Sequence, residues 1–314
     1  MAHETGTGKY EQLVARCKSL AAVTTAVAHP CEQSALAGAA EAAAEGLITP
    51  IYVGPKARIR EIAAKAGIDL GGAEIIDAPH SHAAAQQAVA LVREGRAELL
   101  MKGSLHTDEL LGAVVARESG LRTGRRISHA FLMDVPTYHK VLIVTDGAIN
   151  IAPSLEDKVD ICQNAVDLAV SLGLKQPKVA VVAAVETVTS KMPATIDAAA
   201  LCKMAERGQI KGALLDGPLA FDNAISREAA RTKGIESDVA GDPDILLAPD
   251  LEAGNILAKQ LVYLAGAEGA GIVMGTRVPI VLTSRADSIR TRLASTAVLA
   301  LVANARGQGK LPIH

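Results

Sequence analysis

The sequence predicts an α/β protein of two domains, with largely parallel sheets and flanking helices. Three observations carry this. Short β-branched runs alternate with longer helical patterns almost from end to end, which marks a parallel α/β architecture rather than a sandwich or a bundle. The 314 residues correspond to about two domains at roughly 150 residues each. Alanine is abundant, and because it loses little conformational entropy in a helix, many helices can pack closely without large side chains. The balance of 49% hydrophobic and 21% charged residues suits a globular chain with a sizeable core.

In chain order, strands are expected at 22–28 (AVTTAVA), 49–53 (TPIYV), 73–77 (AEIID), 97–101 (AELLM), 127–134 and 140–145 (KVLIVT). Further strands are expected at 178–184 (KVAVVAA), 212–215, 244–247, 271–274 and 279–283. Helices fall between them. After Ser154 the run S-L-E-D has a capping-box pattern, and Val159, Cys162, Val166 and Val170 recur at helical spacing. After Ser284, the residues Ile289, Leu293, Ala297 and Ala300 form one apolar stripe that leaves Arg290 and Arg292 elsewhere.

Composition excludes several classes. Aromatic residues are only 2% of the chain, with no Trp, so single-stranded nucleic-acid binding by base stacking has almost no platform. The formal charge of −2 lacks the basic excess of a duplex binder. Cys17, Cys31, Cys162 and Cys202 show no C-x-x-C spacing, which indicates neither a zinc site nor a disulfide framework and fits a reducing cytoplasm. The start, MAHETGTGKYEQ, lacks the basic and apolar regions of a secretory signal. The strongest apolar stretch, Thr296 to Ala305, is about half the roughly 20 residues of a membrane span.

Nucleotide fingerprints are weak. Gly6 to Lys9 (GTGK) ends like a phosphate loop, but His3 stands where its first glycine belongs and Tyr10 where its Ser/Thr belongs. Gly266, Gly269 and Gly271 precede a strand instead of following one, which disfavours a dinucleotide turn. Neither NAD nor ATP is expected.

Two segments sit where a strand gives way to a helix, the place at which open α/β sheets bind ligands and free helix N–H groups favour anions. In LLMKGSLHTDEL, Lys102 brings charge, Gly103 allows close backbone approach, and Ser104, His106 and Thr107 bring donors. Alternatively, Thr107 is an N-cap and Lys102 is merely solvated. In PIVLTSRADSIRTRL, Arg285 can hold a phosphate bidentately with help from Ser284. Alternatively, Ser284 or Asp287 caps the last helix and Arg285 pairs with a surface carboxylate.

Taken together, MKGSLHT (101–107), DGPLAFD (216–222), Lys233 with Val239-Ala240-Gly241, PDLEAGN (249–255) and PIVLTSRADS (279–288) resemble the phosphate acetyltransferase/phosphate butyryltransferase family. The likeness runs from about residue 20 to the C-terminus. Within the family the chain resembles the acetyltransferase portion of bifunctional enoyl-CoA hydratase/phosphate acetyltransferases, with no hydratase portion preceding it.

The resemblance implies reversible transfer of a short acyl group, acetyl foremost and butyryl as the alternative, between coenzyme A and inorganic phosphate. Acyl-CoA, phosphate and acyl phosphate would be the small-molecule substrates. No tightly bound cofactor, metal, nucleic acid or membrane is implied. It also implies a fold similar to the isocitrate/isopropylmalate dehydrogenases, a homodimer, and an active-site cleft between residues 1–125 with 275–314 and residues 126–274.

Position by position, Ser284 and Arg285 match the family's Ser-Arg pair at the acyl phosphate. Lys233 matches a lysine near the same phosphate, and Ser104 to Thr107 match a phosphate-side loop. The acetyltransferase branch carries an aspartate seven residues after the serine, where this chain has Thr291. Asp287 is the nearest carboxylate, and it could take the thiol proton or cap the helix. Gly112 stands where relatives often carry an arginine, for which Arg125 and Arg126 could compensate. Asp146, Asn150 and Asn255 also fall on family motifs, with turn or capping roles as alternatives. His106 shows no proton partner in sequence and reads as a loop histidine. Two other classes stay open: a non-catalytic acyl-CoA-sensing module, and a dehydrogenase of similar fold, which would want an aspartate-rich metal site.

Overall fold

The structure is a computed structural model that describes residues 8–17, 19–282 and 288–309. The chain runs through α1 (Lys9–Cys17), β1 (Val23–Ala28), α2 (Gln33–Ala44), β2 (Ile48–Gly54), α3 (Lys56–Ala66), β3 (Ile75–Asp77), α4 (Ser81–Arg93), β4 (Leu99–Lys102) and α5 (Thr107–Val115). It continues through β5 (Ser128–Asp134), β6 (Leu142–Thr145), α6 (Leu155–Ser171), β7 (Lys178–Val182), α7 (Pro193–Glu206), β8 (Leu214–Leu219), α8 (Phe221–Ile225), α9 (Arg227–Thr232), β9 (Ile245–Leu247) and α10 (Leu251–Ala265). The last elements are β10 (Glu268–Met274), β11 (Ile280–Val281) and α11 (Ile289–Gly307). The chain divides into two compact units: Tyr10–Arg125 with Ala270–His314, called the flanking unit, and Arg126–Gly269 with Met1–Lys9, called the middle unit.

In the flanking unit the strand order is β3-β2-β1-β4-β11-β10, parallel except for the antiparallel β10–β11 pair. The chain builds outward from β1 to β2 to β3, then crosses through α4 to β4 on the other side of β1. The β1–β4 junction is therefore the switch point at which the winding reverses, and crevices at such points hold ligands. Pro50 lies inside β2, opposite Thr25 of β1. It is tolerated because β3 pairs with β2 only from Tyr52 onward, so no donor is needed on that side.

In the middle unit the order is β5-β6-β9-β7-β8, parallel apart from β5–β6. Its core gathers Met133, Leu142, Val144, Val182, Leu219 and Leu246. The Ser154 capping box forms as the sequence predicts, with Asp157 as its reciprocal partner. The eighth strand extends past the expected 212–215 to Leu219. It lies at the end of the strand order, where Pro218 leaves no ladder bond unmade.

The last helix differs from its expected single stripe. From Arg292 to Val302 every residue is buried. Arg292 is itself only 5% exposed, because α2 offers Gly38: a Cβ there would lie 2.7 Å from the Arg292 Cδ. A missing side chain makes room for the arginine's aliphatic stem. The GTGK lysine is also structural. Lys9 pairs with Asp134 at 2.9 Å and donates to the carbonyls of Val135 and Tyr138. Gly266 caps α10 in the left-handed region, and Gly269 and Gly271 lie within β10.

Candidate active site

At the carboxyl edge of the flanking sheet, three parallel strands end side by side. Ala28 of β1 pairs with Lys102 of β4, and Met101 of β4 pairs with Val281 of β11. The segment Lys102, Gly103, Ser104, His106 and Thr107 therefore leaves β4 at the switch point. Lys102 and Ser104 are buried at 4% and 6% exposure. Gly103 donates its amide to the Ala28 carbonyl at 2.8 Å, and a Cβ there would lie 2.3 Å from that oxygen. This is the close approach that glycine alone permits. Thr107 is the first residue of α5, and the N-cap position is His106, which makes no side-chain capping bond and is exposed.

Ser284, Arg285 and Asp287 lie outside the described residues. On either side of them, β11 ends at Val281 and α11 is capped by Ser288, whose side chain accepts the Thr291 amide at 3.1 Å. The capping role considered for Ser284 or Asp287 is thus taken by Ser288.

His29, just past the end of β1, carries no sequence motif. It lies one residue past the strand and just before Pro30. It is the one non-glycine with positive φ among the described residues, at 50°. Such a conformation costs energy and persists where the surroundings over-determine it. They do so here. The His29 amide donates to Val53, and its carbonyl accepts from the amides of Cys31 and Ser104 and from the Ser104 hydroxyl. The ring's Nδ1 lies 3.4 Å from Ser104 Oγ, which also accepts the Cys31 amide at 3.0 Å. Burial pulls the imidazole below its ordinary value and Arg58 acts the same way, while Glu109 and Glu32 oppose them.

Beside this edge, α4 and α5 border a cavity of about 590 Å³ lined by His82, Gln86, Arg93, Asp108, Glu109 and Gly112, among others. A Cβ on Gly112 would meet nothing within 4 Å.

The remaining motif residues gather at the carboxyl edge of the middle sheet, in two groups. Beyond β6, Asp146 accepts the amides of Ala148, Ile149 and Asn150, and Asn150 in turn accepts Arg126 Nε at 2.8 Å. Asn255 on α10 donates to Gly147 at 2.8 Å, and Gly254 packs so closely that a Cβ would lie 2.2 Å from the Asp146 carbonyl. TDGAIN and PDLEAGN thus build one structure. Beyond β7 and β8, Lys233 pairs with Glu186 at 3.0 Å and with Asp222 at 3.1 Å. The hydrogen bonds that Lys233 donates to Glu186 and then to Asp222 raise its pKa. Arg126, considered as a CoA contact, is engaged with Asn150 and Asp157.

All four cysteines are free. Burial pushes Cys17 up to about 11 and Cys162 and Cys202 to about 12, and it raises Cys31 as well. None is a thiolate near neutral pH, so none has the character of a nucleophile. Among the described residues no three His, Cys, Asp or Glu are grouped to hold a metal ion, and no helix is long and apolar enough to cross a membrane.

Comparison with known proteins decides the family. Residues 81–300 match the model described as Phosphate acetyl/butaryl transferase. The chain belongs to this family. It is 64% identical over 298 residues to the phosphate acetyltransferase of Rhizobium meliloti, covering 95% of this chain and 94% of that protein. It is 42% identical to the phosphate butyryltransferase of Clostridium acetobutylicum, over 94% and 98% of the two chains. Among solved structures, a branched-chain phosphotransacylase from Enterococcus faecalis V583 matches with a TM-score of 0.79 at 30% identity, over 90% of this chain and 99% of that one.

Proposed function

We propose that the protein is a phosphate acyltransferase acting foremost on acetyl groups: acetyl-CoA and inorganic phosphate give acetyl phosphate and CoA, reversibly. The observation that carries this is the 64% identity, over nearly the full length of both chains, to a phosphate acetyltransferase. The 42% identity to a butyryltransferase makes butyryl the second reading.

The chemistry explains the residue types. When the CoA thiol attacks an acyl phosphate, negative charge grows on the carbonyl oxygen and on the departing phosphate together. In our reading, Arg285 binds the phosphoryl group bidentately, Ser284 donates to the tetrahedral oxygen, and Lys102 to Thr107 supply the phosphate-side loop. Lys233 adds a second cation and Asn255 supports its neighbouring loop. The thiol proton has two candidate acceptors, Asp287 and His29. The reading takes the protein as a cytoplasmic homodimer.

Acyl preference is tested by comparing kcat/KM for acetyl-CoA and butyryl-CoA with phosphate in excess. The reading predicts that acetyl-CoA is favoured, and a preference for butyryl-CoA would transfer the assignment to the second reading.

A further inference from the structure

We propose that His29 is the proton acceptor for the CoA thiol, using Nε2, and that Ser104 fixes its tautomer. The inference rests on the acyl-transfer reading above and goes beyond the residues the sequence motifs supply.

Three observations on the flanking unit carry it. First, position: His29 ends β1 and the 102–107 loop leaves β4, so the ring stands at the topological switch point, beside the loop assigned to phosphate. Second, strain: a positive φ of 50° on a residue followed by proline is held in place by four hydrogen bonds to the His29 backbone, three from backbone groups and one from the Ser104 hydroxyl, an investment that a surface turn does not need. Third, proton placement: the Ser104 hydroxyl gives its hydrogen to the His29 carbonyl at 2.8 Å. Toward the ring, 3.4 Å away, Oγ can therefore only accept. Nδ1 then carries the hydrogen, which leaves the lone pair on Nε2. A base oriented by a second side chain is the arrangement that activates weak nucleophiles.

Among the described residues, the charged groups acting on the ring come from three other elements: Arg58 on α3, Glu109 on α5 and Glu32 at the N-cap of α2. Burial and Arg58 lower the imidazole's proton affinity, and the two carboxylates restrain that effect. The direction of that shift favours the neutral ring, the form able to accept a proton. In the CoA-acylating direction the S–H proton passes to Nε2, the sulfur–carbonyl bond forms, and the carbon–oxygen bond to phosphate breaks with its electron pair leaving on phosphate. The imidazolium then gives its proton to solvent. In the reverse direction it protonates the departing thiolate.

The test uses purified full-length protein, acetyl phosphate and CoA. His29→Asn is the informative variant because Asn tolerates positive φ. The expected results are an acidic limb in wild-type kcat/KM below the ordinary imidazole value of about 6.5, and in the variant a kcat lower by roughly 100-fold or more, a CoA KM within about twofold, and loss of that limb. His29→Ala should regain part of its rate with added imidazole, a rescue that a merely structural role would not give. Retention of the acidic limb in His29→Asn, or its loss in Asp287→Asn instead, would overturn the proposal while leaving the acyl-transfer reading intact. A wild-type chain with no phosphate-dependent acyl transfer would overturn both. Should His29→Asn fold poorly, ring ¹⁵N NMR of the wild-type protein decides: hydrogen on Nδ1 supports the proposal, and hydrogen on Nε2 contradicts it.

Discussion

The carbonyl oxygen of His29 receives both the amide and the hydroxyl of Ser104, at 2.9 and 2.8 Å. This double bond of contacts joins the ends of β1 and β4 into one rigid edge, and Gly103 between them leaves no space for a side chain. Gly103→Ala should therefore cost about 1–3 kcal/mol of stability through forced backbone displacement and should impair turnover. Gly112→Ala, in an open position inside α5, should instead add about 0.5–1 kcal/mol. Chemical denaturation of the two variants checks the contrast, and equal effects would contradict it.

Arg285 is assigned to the phosphoryl group. Replacing it with Ala should reduce turnover about 100- to 1000-fold, the loss associated with one well-aimed donor, and should raise the KM for phosphate while the melting temperature stays near wild type. Near-normal kinetics would remove Arg285 from the mechanism.

Lys233 poses a separate question, because two carboxylates, Glu186 and Asp222, already hold it. If it also serves phosphate, Lys233→Met should raise the phosphate KM by about tenfold, in line with roughly 1.5 kcal/mol for a charged hydrogen bond. Steady-state kinetics at varied phosphate measure this. An unchanged KM would mean that the lysine only ties the strand ends of the middle unit together.

Acid stability should depend on Asp242. Burial alone would raise its pKa, yet Lys178 and Lys140 hold the carboxyl well below the usual carboxylate range, with Arg227 and His139 also within reach. A depressed folded-state value contributes stability above the unfolded value of about 3.9, and that contribution is lost as pH falls through and below it. Urea midpoints at pH 6 and pH 3 should therefore fall further for wild type than for Asp242→Asn. An equal fall would show that the network is not a source of acid sensitivity.

Much of this fold was legible because periodicity reports burial. Each of the eleven expected strands corresponds to an observed one, since parallel strands buried on both faces read as continuous apolar runs. Boundaries moved where pairing overrode propensity, as at Pro218 on a terminal strand. The fate of Arg292 could not be read from helical spacing, because it depends on a glycine more than 250 residues away in sequence on another helix. The MKGSLHT loop stood out in the sequence because its residue types suit anion binding at a strand end. His29 did not, since its significance comes from a backbone conformation and from a neighbour, Ser104, 75 positions distant.

The central claim, acyl transfer between CoA and phosphate, is tested most directly by following free thiol in a mixture of purified protein, acetyl-CoA and inorganic phosphate. The account predicts thiol release that requires phosphate and saturates with it, together with formation of acetyl phosphate. Absence of phosphate-dependent thiol release with both acetyl-CoA and butyryl-CoA would contradict it.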